Sequence, residues 1–311
     1  MVTASKRNHT GFRATHPRVL AFVLLTLANV LWAGNWVMGR ALRGAFEPIG
    51  LNFWRWVVAA AVLAPFALFG VVRKRAVIRR HAGILLLLAF TGVALYQCLV
   101  YLGLRSTTAV NAVLLNSSTP LFVLLCSWAI EHERTTRRQI VGVLISLVGI
   151  LVILSRGDLG NLLKLEFHVG DAWILLAMPI WGVYSVLLKR RPPELGGLEL
   201  MFVIAAAGVL MLTPFYAIEA LQTAPDFPTP AAIAGVLYIG IGAAVFAFVF
   251  WNLGVSIVGA NAAGFTLHLL PAFGTVFAII FLGESFGVFH AVGIATILIG
   301  VVLATRQTRT S

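Results

Sequence analysis

An all-helical integral membrane fold of ten spans, arranged as two five-helix copies of opposite orientation, is predicted by three features of the sequence. First, hydrophobic residues make up 60% of the 311 positions and charged residues only 11%, against about 25% charge in soluble domains. No soluble sphere of this size has enough interior for so much apolar surface. Second, apolar runs long enough to cross a bilayer recur ten times. Third, the sequence resembles itself at a nearly constant offset.

The runs fall at about 19–39, 49–71, 82–104, 108–130, 138–155, 171–189, 198–219, 231–252, 261–282 and 287–305. After the first run, Gly39-Arg40 leads straight towards the second with no small-residue cleavage site, so the run is expected to stay as a span. The net charge of +12 raises the question of nucleic acid, but Lys and Arg sit in short segments between apolar runs rather than on one folded face. They sort by side instead. With a cytoplasmic N-terminus, 17 of the 23 fall on that side, while Arg40, Arg43, Arg105, Arg156 and Lys164 fall opposite and Arg55 alone lies within a span. This asymmetry predicts cytoplasmic N- and C-termini in a plasma (inner) membrane. Cys98 and Cys126 lie inside apolar runs and read as packing residues, not as a disulfide framework.

The segment from Ala109 resembles the segment from Gly259. At an offset of 151, Pro120 meets Pro271, Glu133 meets Glu284, Gly142 meets Gly293 and Gly149 meets Gly300, with Asn111 and Asn261 one residue out of step. Upstream, Gly103 matches Gly254 at the same offset, and Trp32 matches Trp181 at 149. Each copy holds five runs, and an odd number turns the second copy over. Inverted repeats of this kind are typical of secondary transporters, which alternate access around a central site. The expected organisation is a tail over 1–18, a first copy over 19–155, a connecting loop over 156–170, a second copy over 171–305 and a tail over 306–311.

An AN pair near a helix start, a mid-helix proline, then Leu282-Gly283-Glu284, a short loop and glycines at 293 and 300 together resemble the EamA domain of the drug/metabolite transporter superfamily. The resemblance covers roughly 19–304. In the first copy Glu131-His132-Glu133 stands where the second has LGE, but Glu133 keeps its register. The resemblance implies two EamA domains, ten helices and a small-metabolite carrier, often an exporter of amino acids or related compounds. The aromatic and neutral amino-acid exporter branch is similar.

Polar groups inside apolar helices are costly and tend to face the bundle interior. Trp32 and Asn35 share one face of the first span, where an indole can stack on a ligand and an amide can orient it; interhelical bonding and packing are the alternative. Gln97 and Tyr101, four apart on the third span, could present two polar tips to one cavity, whereas Tyr96 is expected on another face and is left out. For Tyr101 an interfacial position is the alternative. Asn116 and Ser117 precede Pro120, and His268 precedes Pro271, so both copies place polarity ahead of a mid-helix proline. Such groups either line the site or satisfy the carbonyl that a proline frees one turn back. His268 could also carry a coupling proton. Trp181 and Tyr184, just after Pro179, mirror Trp32 and Asn35. The expected lining set is therefore Trp32, Asn35, Gln97, Tyr101, Asn116, Ser117, Trp181, Tyr184 and His268, with Pro120, Pro179 and Pro271 as helix breaks or gates.

Arg55 has two readings: it snorkels outward beside Trp54 and Trp56, or it is a vestibule cation that meets a substrate carboxylate. Gly142, Ser146 and Gly149, like Gly293 and Gly300, mark small-residue faces for close helix packing or for a homodimer contact. Glu133 and Glu284 are expected to stabilise helix starts. No P-loop, zinc-spaced His/Cys set, H-E-x-x-H or G-x-S-x-G is present, so neither ATP-driven pumping nor catalysis by this chain is expected, and no metal or cofactor. The expected partners are the bilayer and a small molecule such as an amino acid. Other hydrophobic metabolites or drugs are the alternative cargo, and a membrane scaffold or an intramembrane enzyme is the alternative class.

Overall fold

The computed structural model describes residues 17–107, 109–155, 158, 160–163, 166–223, 229–282 and 287–305. Those residues are helical apart from short connections, with ten passes in chain order: Pro17–Ala41, Pro48–Arg73, Ala82–Ser106, Ala109–Asn116 continued by Thr119–Glu131, Arg137–Ser155, Val169–Arg190, Gly197–Gln222, Pro230–Val258, Ala260–Thr266 continued by Leu269–Leu282, and Val288–Thr305. They are called the first to tenth spans. No strand occurs among the described residues. Glu284, the tails and residues 156 and 164 lie outside the described set.

Local chemistry sets the ends. Pro48 and Pro230 stand at first helical positions, where a missing N–H costs nothing, and the Thr229 hydroxyl caps Ala232 N at 3.2 Å. The eighth span runs six residues past its expected end because nothing stops it before Gly259, whose φ of +86° suits glycine. Asparagines near the starts of the fourth and ninth spans are tied to acids. Asn111 donates to Asp171 at 2.7 Å, and Asn261 donates to Glu133 at 3.1 Å. Glu133 also accepts from Ser127 and Lys189, so it joins the fourth, sixth and ninth spans rather than simply stabilising a helix start.

The packing obeys the repeat. The fifth span lies along the tenth and the second along the seventh; the first packs on the eighth as the sixth packs on the third, and the first meets the ninth as the sixth meets the fourth. Exchanging the two five-span sets maps the first two contacts onto themselves and the other four onto one another in pairs. Irregularities repeat as well: wide π-helical turns over Phe90–Leu95 and Ile239–Phe246 interrupt the third and eighth spans. Breaks at 117–118 and 267–268 divide the fourth and ninth.

The glycine faces explain the fifth–tenth contact. A Cβ on Gly142 would stand 2.6 Å from the Gly300 carbonyl, and one on Gly149 would stand 2.7 Å from the Gly293 carbonyl. These faces are therefore consumed within the chain, and they are not a surface for a second copy. Small residues let the backbones approach closely, which is how helices gain contact where lipid offers no hydrophobic drive.

Pro120 and Pro271 follow the two helix breaks. Pro179 does not break its helix, which continues through it from Val169 to Leu187. A proline removes one N–H and crowds one carbonyl, and here the packed neighbours of the sixth span hold the helix across that defect.

Candidate functional site

Where the two copies meet, residues one repeat apart touch. Trp32 and Trp181 lie edge to face with ring centres 5.1 Å apart. The ring of His268 donates from Nε2 to the carbonyl of Ser117, its repeat counterpart, at 3.0 Å. The fourth and ninth spans thus abut at their breaks. The Ser117 hydroxyl bonds back to Val113 O at 2.7 Å, and Thr119 bonds to the Asn116 carbonyl that Pro120 leaves free. His268 is buried and engaged in this joint, the arrangement expected of a group that satisfies broken-helix backbone.

Beside the joint lies a cavity of about 20 Å³, enough for one or two water centres. Its wall is formed by Trp32, Asn35, Trp36, Tyr96, Gln97, Val100, Asn116, Thr119, Trp181, Phe248, Leu267 and Leu270. Five of the nine expected residues are here: Trp32, Asn35, Gln97, Asn116 and Trp181. Tyr101, Ser117, Tyr184 and His268 are buried just behind the wall instead. Tyr96, assigned to another face by its helical position, is on the wall. All of these residues lie in the regular helix Tyr96–Ser106, and it is turned so that the wall strip runs through 96, 97 and 100 rather than 97 and 101.

The wall has a chemical division that matches the repeat. At the offset of 151, Gln97 corresponds to Phe248, Asn116 to Leu267 and Thr119 to Leu270, and all six line the cavity. In each pair the first copy gives the polar member and the second the apolar one. Repeating Gln97 and Asn116 at that offset is the sequence signal that would have found Phe248 and Leu267. The rings around the cavity form one cluster: Trp181 lies 4.8 Å from Tyr96 and 5.2 Å from Tyr184, and Trp32 lies 5.6 Å from Phe248. The Trp32 indole N–H donates to Ala243 O at 3.0 Å, within the wide turn of the eighth span. The Trp181 indole N–H has no partner.

Behind the polar side, the Tyr101 hydroxyl donates to Asn35 Oδ1 at 3.2 Å and accepts from Arg55 Nη1 at 3.2 Å. Arg55 is completely buried, which overturns the snorkelling reading. It lies on the face shared by Asn52, Trp56, Ala59 and Leu63, which turns into the bundle, whereas snorkelling needs a lipid-facing start. On the apolar side the corresponding bond runs from the Tyr184 hydroxyl to Asn252 Oδ1 at 2.8 Å, and Asn252 Nδ2 rests against Met201 Sδ at 3.0 Å.

The sequence model of the EamA-like transporter family matches the chain twice, over residues 19–155 and 168–306. An Archaeoglobus fulgidus protein described as an uncharacterized transporter is 28% identical over 287 residues, covering 92% of this chain and 97% of that protein. A Streptantibioticus cattleyicolor protein described as a "probable terminal-alkyne amino-acid exporter" is 30% identical over 288 residues, covering 91% of this chain and 93% of that protein. One solved crystal structure shares the fold with a TM-score of 0.72 at 22% identity, over 92% of this chain and 96% of that one. The two family matches take in both five-span sets and the cavity between them, and the chain therefore belongs to the EamA-like transporter family as a multi-pass membrane transporter.

Proposed function

We propose that the protein is a secondary transporter that exports small amphipathic metabolites, foremost amino acids with aromatic or other neutral side chains. The observation that carries this reading is the division of the cavity wall. Asn35, Gln97, Asn116 and Thr119 of the first copy offer hydrogen bonds, while Phe248, Leu267 and Leu270 of the second offer apolar contact, and Trp32 and Trp181 add one indole from each copy. A ligand with a polar head and an apolar tail satisfies both sets, and a uniformly polar or uniformly greasy ligand leaves one set unpaired. The relative described as an amino-acid exporter supports the same class of cargo.

The architecture supports transport by alternating access. A cavity of about 20 Å³ cannot take an amino acid, so loading requires the two five-helix copies to part. The joint between Ser117 and His268, where two broken helices meet, is the natural hinge. The ion pairs of Lys and Arg among the described residues fall into two sets, as alternating passes require: Lys74–Glu199, Lys189–Glu133 and Arg190–Glu131 at one end, and Arg105–Glu47 at the other. The excess of Lys and Arg at the first of these ends supports cytoplasmic termini in an inner membrane.

Purified full-length protein in liposomes, tested by counterflow with labelled amino acids, nucleosides and drugs, checks the proposal. Saturable uptake of neutral amino acids above empty vesicles is expected, with Asn35→Ala and Trp181→Ala each reducing it about tenfold or more. If every compound behaves as in empty vesicles, the transport reading fails.

A further inference from the structure

We infer that Arg55 is the receptor for an anionic group of the substrate, most simply its carboxylate, and that Tyr101 and Asn35 form the route from the cavity to it. This rests on the proposed transport of amphipathic cargo and specifies its polar head. The starting observation is a buried charge in the wrong company. Arg55 is fully buried, and its single hydrogen bond, through Nη1, goes to the Tyr101 hydroxyl. The Trp56 ring centre lies 5.3 Å from its Cζ. None of the five ion pairs among the described residues includes it. A buried cation without a counter-charge is costly to the fold, and a guanidinium is a permanent charge with donors only.

The unused atoms are the informative ones. Nε and Nη2 have no partner. Together they form the side of the guanidinium whose two parallel N–H groups match the two oxygens of a carboxylate. The one bond already made leaves both nitrogens of that edge unpaired. The Tyr101 hydroxyl, bound to the remaining nitrogen Nη1, gives its proton to Asn35 Oδ1, and Asn35 is on the cavity wall. An arriving carboxylate replaces Asn35 as acceptor for Tyr101 and pairs with that edge of Arg55.

The second copy supplies the contrast. At offsets of 149 to 151, position 55 corresponds to Ile204, Ala205 and Ala206, and the matching tyrosine–asparagine bond ends at Met201 instead. The cation is therefore not part of the repeated frame. It stands in one copy only, the copy that supplies the polar members of the wall.

The test uses full-length protein in detergent and in liposomes, with L-phenylalanine, L-phenylalaninamide, phenethylamine and 3-phenylpropionate as probes. Binding is followed by quenching of the fluorescence of the cavity tryptophans, and transport by counterflow. L-phenylalanine and 3-phenylpropionate are expected to bind about 10- to 100-fold more tightly than the amide and the amine. Arg55→Met should remove that preference by weakening the two acids alone, and Arg55→Lys should restore part of it, because a lysine returns the charge without the fork. If Arg55→Met does not fold, wild-type discrimination between acid and amide and the response of Tyr101→Phe decide the matter. Equal affinity for acid and amide, no binding of either acid, or an unchanged preference in a folded Arg55→Met overturns the assignment. Binding of the acids without uptake would defeat the transport proposal and leave the assignment standing. Uptake indifferent to the carboxyl group would do the reverse.

Discussion

The bond from Tyr101 to Asn35 and the bond from Tyr184 to Asn252 are one hydrogen bond built twice, with tyrosine and asparagine exchanged between the copies. One end of the first is held by a buried arginine; one end of the second rests on a methionine thioether. The difference teaches how a duplicated, inverted chain acquires direction in its chemistry. Backbone irregularities, glycine pairs and the Trp32–Trp181 contact obey the repeat and make the frame. Three pairs of cavity-lining residues depart from it, polar in the first copy and apolar in the second.

The frame can be broken most severely at the glycines. A Cβ on Gly300 would stand 2.5 Å from the Gly142 carbonyl, and one on Gly149 would stand 2.7 Å from that of Gly293. Gly300→Ala and Gly149→Ala should each destabilise by about 2 kcal/mol or more, even after alanine's helix preference returns about 1 kcal/mol. Melting in detergent measures both. A loss at only one of the two sites would show that the symmetry of the fifth–tenth contact is one of appearance.

The two tyrosines sharpen the comparison at smaller cost. Tyr184→Phe leaves Asn252 Oδ1 without its donor, and Tyr101→Phe does the same to Asn35 Oδ1. Each should lower stability by about 1–2 kcal/mol. Transport should separate them, falling far more in Tyr101→Phe, whose hydroxyl touches Arg55, than in Tyr184→Phe. Equal transport losses would mean that the arginine adds nothing to the first bond.

The smallest effect is expected at the end of the fourth span. Burial raises the affinity of Glu133 for a proton, but the Lys189 ammonium and the Ser127 hydroxyl outweigh it and hold the carboxyl below its ordinary value of 4.5. A carboxylate that ionises more readily in the folded chain stabilises it above the unfolded value, and that gain is lost as pH falls through the folded value. The group is partly exposed, so Glu133→Gln should lower Tm at pH 7 by only about 1–2 °C. The variant and the parent should converge in acid. A gap that widens as pH falls would show that Asn261 is held by a protonated Glu133, unlike Asn111, its counterpart on Asp171.

Much of this molecule is legible in the chain itself. Span number, the five-plus-five division and the close glycine packing come from run length and period, because a bilayer demands some twenty apolar residues per pass and lipid exposes no alternative partner for the backbone. Trp32, Asn35, Gln97, Asn116 and Trp181 could be found because polar and aromatic groups inside apolar helices have few reasons to be there. Side-chain facing was not legible. Which strip of the third span meets the cavity depends on how that helix is rotated against its neighbours, and it rests with Tyr96 on the wall and Tyr101 behind it. Nor could a helical wheel say whether Arg55 pointed to lipid or to protein, since its neighbours Trp54 and Trp56 suit either. Only the packing of the second span, with Trp54 half-exposed and Trp56 wholly buried, put the guanidinium inside and left two of its nitrogens without partners. Period and hydropathy are sums along a chain and are fixed once it is written; which groups meet across ten helices depends on how their faces turn when they pack.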